Sequence, residues 1–160
     1  MQKITVISMG KLKEKFFVSA EAEYIKRLGR FCEVKIIEAE PQKLPDNPNP
    51  SQIENALEKE ADEIIKNIPK KCKTVSLCIE GTELSSEKFA EKLTELTVSG
   101  GGNVCFIIGS SHGLGKKVKS MSDFKLSFSK MTFPHKLFRV MLLEQIYRAF
   151  MINGGGTYHK

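Results

Sequence analysis

Small residues, hydroxyls and lysines gather where Gly109-Ser-Ser-His-Gly-Leu-Gly-Lys-Lys117 follows the apolar run Asn103–Ile108. Exposed backbone N–H groups ahead of a helix hold anions, so this loop invites a phosphate-binding reading. The phosphate-loop pattern G-x-x-x-x-G-K-[ST] fails at two places: Ser110 stands at its first glycine, and Lys117 replaces the hydroxyl that would reach magnesium. The dinucleotide pattern G-x-G-x-x-G fails as well, with Val118 at the third glycine. Between residues 101 and 160 the only acids are Asp123 and Glu144, so that region has no carboxylate pair for glycoside-type acid–base work. Glu144 has Arg148 four residues on, a common structural pair. These failed patterns argue against an NTPase and a dehydrogenase.

A constellation of three segments remains: Glu80-Gly81, Gly109–Gly115 and Phe128–Phe133, each expected just after a strand. In open parallel sheets, ligands bind outside the carboxyl ends of the strands. These segments supply backbone donors and acceptors, small residues for close approach, and Leu77, Leu114, Met131 and Phe133 as apolar walls. That suits a nucleoside-like ligand better than a polyphosphate. His112, His135 and His159 all fall in or beside loops of the same half of the chain. The cysteines, Cys32, Cys72, Cys78 and Cys105, form no C-x-x-C pair and have no histidine at ligand spacing, so no metal is expected. Cys78 and Cys105 lie in strand-like runs and read as buried thiols, which fits a reducing cytoplasm.

The elements that would position these residues follow from periodicity. Short β-branched or apolar runs at Lys3–Met9, Cys32–Glu38, Thr74–Ile79, Asn103–Ile108 and Phe124–Ser127 read as strands. Between them, helices are expected over Glu14–Leu28 and Ser51–Asn67, from the start signal Ser85-Ser86 to the stop at Gly100-Gly-Gly102, and over Lys116–Ser120, with a last helix over His135–Ile152. Ser51 and Glu54 have capping-box spacing, and Pro134 suits the first turn of the last helix. This alternation predicts a single-domain α/β fold with a mainly parallel sheet and helices on both faces. The run Asn103–Ile108, apolar on both sides, belongs at the sheet's centre. The last helix carries Leu137, Val140, Met141, Leu143, Ile146, Tyr147 and Phe150 as one stripe, with Leu142 and Ala149 beside it. It is greasier than one covering layer requires, which points to a second protomer packing on it.

With 160 residues, 41% of them hydrophobic and 28% charged, the chain has the composition of one ordinary globular domain. No apolar run is long enough to span a bilayer, and Met1–Gly10 reads as a strand rather than a signal peptide. The net charge of +6 is unevenly placed. Residues 101–160 hold nine basic and two acidic residues, a net of +7, against −1 for residues 1–100. An anionic partner is therefore expected at the glycine-rich end.

The segment Leu126-Ser-Phe-Ser-Lys-Met-Thr-Phe-Pro-His135, the following Arg139-Val-Met-Leu-Leu-Glu-Gln-Ile-Tyr-Arg-Ala-Phe150 and the terminal Tyr158-His159-Lys160 together resemble the RlmH-type ribosomal RNA methyltransferases of the SPOUT class. Ile107-Ile-Gly109 and Gly113-Leu114 match that family's glycine loop, although Ser110 replaces a second glycine. The resemblance runs from Lys3 to Lys160. It implies a fold with a C-terminal trefoil knot, a homodimer, and methyl transfer from S-adenosylmethionine to N3 of a pseudouridine in 23S rRNA of the assembled ribosome. It puts cofactor contacts on Leu77, Gly109 and the loop Phe128, Ser129, Lys130, Met131, Thr132 and Phe133, to which composition adds Gly81 and Leu114. His159 is the first candidate for the base that takes the N3 proton, with Tyr158 and His135 behind it. Lys116, Lys117, Lys130, Arg139, Arg148 and Lys160 are the expected phosphate contacts. The alternative is a non-enzymatic RNA- or ribosome-binding module, but the sequence shows none of the interleaved surface aromatics typical of single-strand binders, and such a module gives no reason for glycine loops at strand ends.

Overall fold

The computed structural model describes residues 1–159 as alternating strands and helices. In chain order these are β1 (Gln2–Met9), α1 (Lys15–Leu28), β2 (Cys32–Ala39), α2 (Pro50–Asn67), β3 (Lys73–Glu83), α3 (Ser86–Ser99), β4 (Asn103–Ile108), α4 (Lys116–Met121), β5 (Phe124–Ser127) and α5 (His135–Asn153). All five strands are parallel, in the order β2-β1-β4-β3-β5. β4 is central as its composition predicts, with Val104 through Ile108 buried on both faces.

The crossovers from β1 to β2 and from β3 to β4 step one way along the sheet and carry α1 and α3 on one face. Those from β2 to β3 and from β4 to β5 step the other way and carry α2 and α4 on the opposite face. All four thus share one hand, as the twist of parallel sheets demands. Alternation along each strand splits the core accordingly: Ile4, Val6, Val104, Phe106 and Ile108 face α1 and α3, while Ile7, Met9, Cys105 and Ile107 face α2 and α4.

After β5, at one edge of the sheet, residues 128–134 cross the carboxyl ends of β3 and β4. They bring His135 beside Gly10, which follows β1; a Cβ on Gly10 would lie 3.8 Å from His135 Nε2. α5 then packs between α1 and α3. Its buried face is Arg139, Leu142, Leu143, Ile146 and Ala149, so the core stripe lies beside the one read from spacing, and Leu137 stays exposed.

Three local expectations change. The capping box of α2 is Asn49 with Gln52, not Ser51 with Glu54: Asn49 Oδ1 accepts from Gln52 N–H at 2.8 Å, Gln52 Oε1 accepts from Asn49 N–H at 2.9 Å, and Pro50 fills N1. Pro134 is the N-cap of α5 rather than a first-turn residue. β3 runs on past Ile79 to Glu83, with a register shift against β5 between Leu77 and Thr82. Gly81 therefore lies within a strand, where a Cβ would come within 2.7 Å of the β5 backbone at Leu126.

Candidate active site

Three segments at the carboxyl edge of the sheet enclose a cleft of about 640 Å³. β3 contributes Leu77 to Glu80, the β4–α4 loop contributes Gly109 to Leu114, and the crossing segment contributes Phe128, Ser129 and Met131 to His135. Of the expected cofactor residues, Leu77, Gly109, Leu114, Phe128, Ser129, Met131, Thr132 and Phe133 line it. Gly81, which lies close against the β5 backbone, and Lys130 are not part of the lining. The size falls within the roughly 300–1,000 Å³ of small-molecule sites.

Backbone shape decides the floor of the cleft. The loop turns where Gly113 N–H donates to Ser110 O at 2.9 Å, with Gly113 at φ +87°. A Cβ on Gly109 would collide with the carbonyl of Gly113, so only glycine lets the two limbs close. Ser110 has a task of its own: its hydroxyl donates to Glu60 Oε1 at 2.8 Å, while Gln42 N–H donates to Oε2 at 2.7 Å. Buried Glu60 thus ties the glycine loop to the proline-rich segment before α2. On the other wall, Ser129 Oγ accepts from Met131 N–H at 3.0 Å, and the Phe128 ring packs on Phe138 at 4.6 Å. The charged side chains of the lining are few, and Lys119 is paired with Glu80. A half-apolar ligand without phosphates fits this better than a polyphosphate. Cys78, expected to be buried, is a half-buried lining residue whose thiol is pushed up by desolvation and then by Glu80.

The proposed bases separate. His135 lines the cleft, and burial, then the charges of Lys136 and Arg139, holds its pKa below the usual histidine value, so the ring is neutral near pH 7. Tyr158 and His159 lie elsewhere, against α3 and α5. His159 Nε2 is 2.7 Å from Glu87 Oε1, and Nδ1 is 3.1 Å from Arg148 NH1. Arg148 can only donate, so Nδ1 accepts and Nε2–H donates to Glu87. Tyr158 donates to Glu144 Oε1 at 3.2 Å, and its own pKa is raised to about 12 by burial and by the neighbouring Tyr24 and Glu144. This tail cluster borders a second groove of about 550 Å³, lined by Tyr24, Leu84, Val140, Met141 and Glu144 among others. The two hollows share Leu126, Ser127, Phe128 and Phe133 as a common wall.

The expected phosphate contacts divide likewise. Arg139 is 1% exposed: its guanidinium meets Glu38 Oε2 at 3.0 and 3.1 Å, Glu21 Oε2 at 3.3 Å and Gly10 O at 3.4 Å, which leaves it no face for RNA. Arg148 is occupied by Glu144 at 2.9 Å and lies over the Tyr158 ring. Lys117 pairs with Asp62, and Lys136 pairs with Glu14. Lys116 and Lys130 are exposed and in no ion pair among the described residues, as is Lys125; Lys160 lies outside the described residues. The near-neutral first hundred residues therefore supply most of the acids that absorb the C-terminal surplus. Nor are aromatics absent from the basic surface: Phe16, beside Lys15, is 67% exposed. Sequence reasoning missed Glu60 and buried Arg139. The signal for Arg139 was the presence of Glu21 and Glu38 in elements that pack on α5.

Comparison with known proteins bears on this geometry. The family described as "Predicted SPOUT methyltransferase" matches residues 2–159. A protein of Clostridium tetani called "Ribosomal RNA large subunit methyltransferase H" is 50% identical over 157 residues, covering 98% of this chain and 99% of its own. One of Clostridium kluyveri with the same name is 48% identical over the same span. Among solved structures, a probable methylase family protein from Haemophilus influenzae matches with a TM-score of 0.52 at 14% identity, covering 95% of this chain and 66% of that one. At that identity the likeness concerns the fold alone.

Proposed function

The chain belongs to the SPOUT methyltransferase family, which implies a trefoil-knotted C-terminal half, and from that premise we propose that it transfers a methyl group from S-adenosylmethionine to N3 of a pseudouridine in large-subunit (23S) rRNA of the assembled ribosome, as a cytoplasmic homodimer. The observation that carries the proposal is the convergence of the β3 end, the Gly109–Gly113 loop and the Phe128–Phe133 segment on one cleft with backbone donors and apolar walls.

When bound, S-adenosylmethionine supplies a methyl carbon made electrophilic by its sulfonium. The residues present fit such a ligand, since the Gly109–Gly113 approach leaves a cradle that a Cβ would fill and no cationic floor asks for phosphate. Leu77, Leu114 and Phe133 exclude water from the apolar part, and the backbone of the glycine loop and of Ser129 to Thr132 offers hydrogen bonds to the polar part. Holding donor and acceptor in line supplies much of the acceleration. The acceptor N3–H must lose its proton, and His135 is a neutral ring that lines the cleft. His159 and Tyr158 reach a cleft as part of a second protomer: the half-exposed Val140 and Met141 with exposed Leu137 form the surface on which α5 of a partner packs.

Calorimetry with S-adenosylmethionine, paired with mass spectrometry of rRNA from cells with and without the protein, tests the reading. Cofactor binding and a missing methyl in the depleted rRNA are expected. No cofactor binding, with rRNA binding intact, overturns it in favour of a non-enzymatic RNA-binding module.

A further inference from the structure

The loop between β1 and α1 lies at the same carboxyl edge as the cleft, yet belongs to the part of the chain whose charge balance is near neutral. Its inner side is pinned. Leu12 N–H donates to Glu38 Oε2 at 3.2 Å, Glu14 accepts from Lys136 Nζ at 2.9 and 3.1 Å, and Gly10 O accepts from buried Arg139. The outer side follows by alternation: Lys11, Lys13 and Lys15 are exposed, while Leu12 and Glu14 between them are half-buried. None of these three lysines lies within ion-pair distance of a carboxylate among the described residues, unlike most cations of the C-terminal segment. Phe16 continues the strip and is 67% exposed beside Phe17, with ring centroids 4.4 Å apart. The N-cap residue Glu14 gives α1 no side-chain cap, because its carboxylate is turned to Lys136, and the first turn holds no acid.

Resting on the proposed reaction, we infer that Lys11–Phe16 is a second RNA-contacting edge of the cleft, the three lysines holding backbone phosphates and Phe16 stacking on a base. The strand order supports this. Lys125 and Lys130 stand at the β5 side and Lys11 to Lys15 at the β1 side, with the mouth of the cleft between them at the ends of β3 and β4. An RNA strand laid across the mouth meets unpaired cations on both sides. Unpaired lysines interleaved with an exposed aromatic are the combination that tracks a single strand. Arg139 and Glu14 serve as positioning residues, holding the strip's inner side against α5.

The test uses the full-length protein and purified large-subunit rRNA, with binding measured over a salt series. K11A/K13A/K15A is expected to reduce the slope of log affinity against log salt by about 2 to 3, since each phosphate left without its lysine removes roughly 0.7–0.9. F16A is expected to weaken binding about tenfold with the slope unchanged. A control at the far end of the sheet, K66A/K70A, leaves both unchanged, and calorimetric affinity for S-adenosylmethionine is unaltered throughout. An unchanged slope and affinity in the triple variant overturns the inference. So does a shift in sedimentation coefficient on F16A, which would assign the aromatic to an interface between copies of the chain. RNA binding is read without cofactor, so absence of methylation by the unmodified protein would count against the reaction and not against this edge.

Discussion

Two arginines on α5 mark two regions held together in different ways. At the start of the helix, Arg139 is buried between Glu38 of β2 and Glu21 of α1, and it braces the loop after β1 that borders the cleft. Near its end, Arg148 is 24% exposed and joins Glu144, Tyr158 and His159 in a cluster whose outer member, Glu87, is largely in water. The cleft is therefore shaped by backbone contacts and a buried ion network that water cannot replace. The tail is held by partly solvated pairs that water can replace at small cost. A region built the first way keeps one geometry; one built the second way can leave its place. That difference suits a preformed cofactor site beside a segment that engages a second protomer or the RNA.

The largest effect that would sharpen the contrast comes from Arg139→Met. Removing the guanidinium strands Glu21, whose carboxyl burial already pushes above the usual range, together with Glu38, and about 3 kcal/mol of stability should be lost in urea unfolding. Arg148→Met should lose well under half of that; equal losses would break the comparison. Next is Gly109→Ala. Its Cβ meets the Gly113 carbonyl, so affinity for S-adenosylmethionine should fall about 100-fold in calorimetry, or about 2.7 kcal/mol. Gly113→Ala has open space around its Cβ and only the positive φ to strain, a cost of about 1 kcal/mol in stability. Truncation after Gly156 is expected to leave cofactor affinity within about twofold and to lower single-turnover methylation about tenfold or more. Unchanged turnover would make the tail inert.

The strands, their parallel order class and the three cleft segments were legible in the sequence because each follows from a local signal. β-branched runs closed by glycine mark strand ends, and in a parallel sheet strand ends are where ligands bind. What stayed hidden depends on distant partners. Arg139 looks like a surface cation on a greasy helix until α1 and β2 bring Glu21 and Glu38 to it. The same holds for the +7 of the last sixty residues, most of which is answered by acids from elsewhere in the fold, leaving Lys11 to Lys15 as free a set of cations as the C-terminal lysines. Ser51 with Glu54 was as good a capping box by spacing as Asn49 with Gln52, and the proline at position 50 decided between them by fixing N1. The docking of Tyr158 and His159 had no sequence signal beyond the side chains themselves.

The smallest expected effect separates the two regions as proton acceptors. Burial, with Lys136 and Arg139 close by, holds the pKa of His135 below 6.5, so the unfolded chain protonates this ring at a higher pH than the folded one does. Its contribution to stability is complete above about pH 6.5 and is lost as the pH falls through the folded value. Unfolding midpoints of the unmodified protein and of His135→Gln should therefore draw together as the pH falls below about 6.5, since the variant has no such loss. The same titration governs catalysis if this ring takes the N3 proton: the acid limb of the single-turnover rate lies below about pH 6.5 and is missing in His135→Gln. Should the limb survive that substitution and vanish in His159→Gln, the proton is accepted at the tail. The weakly held region, and not the rigid one, would then carry the acid–base step.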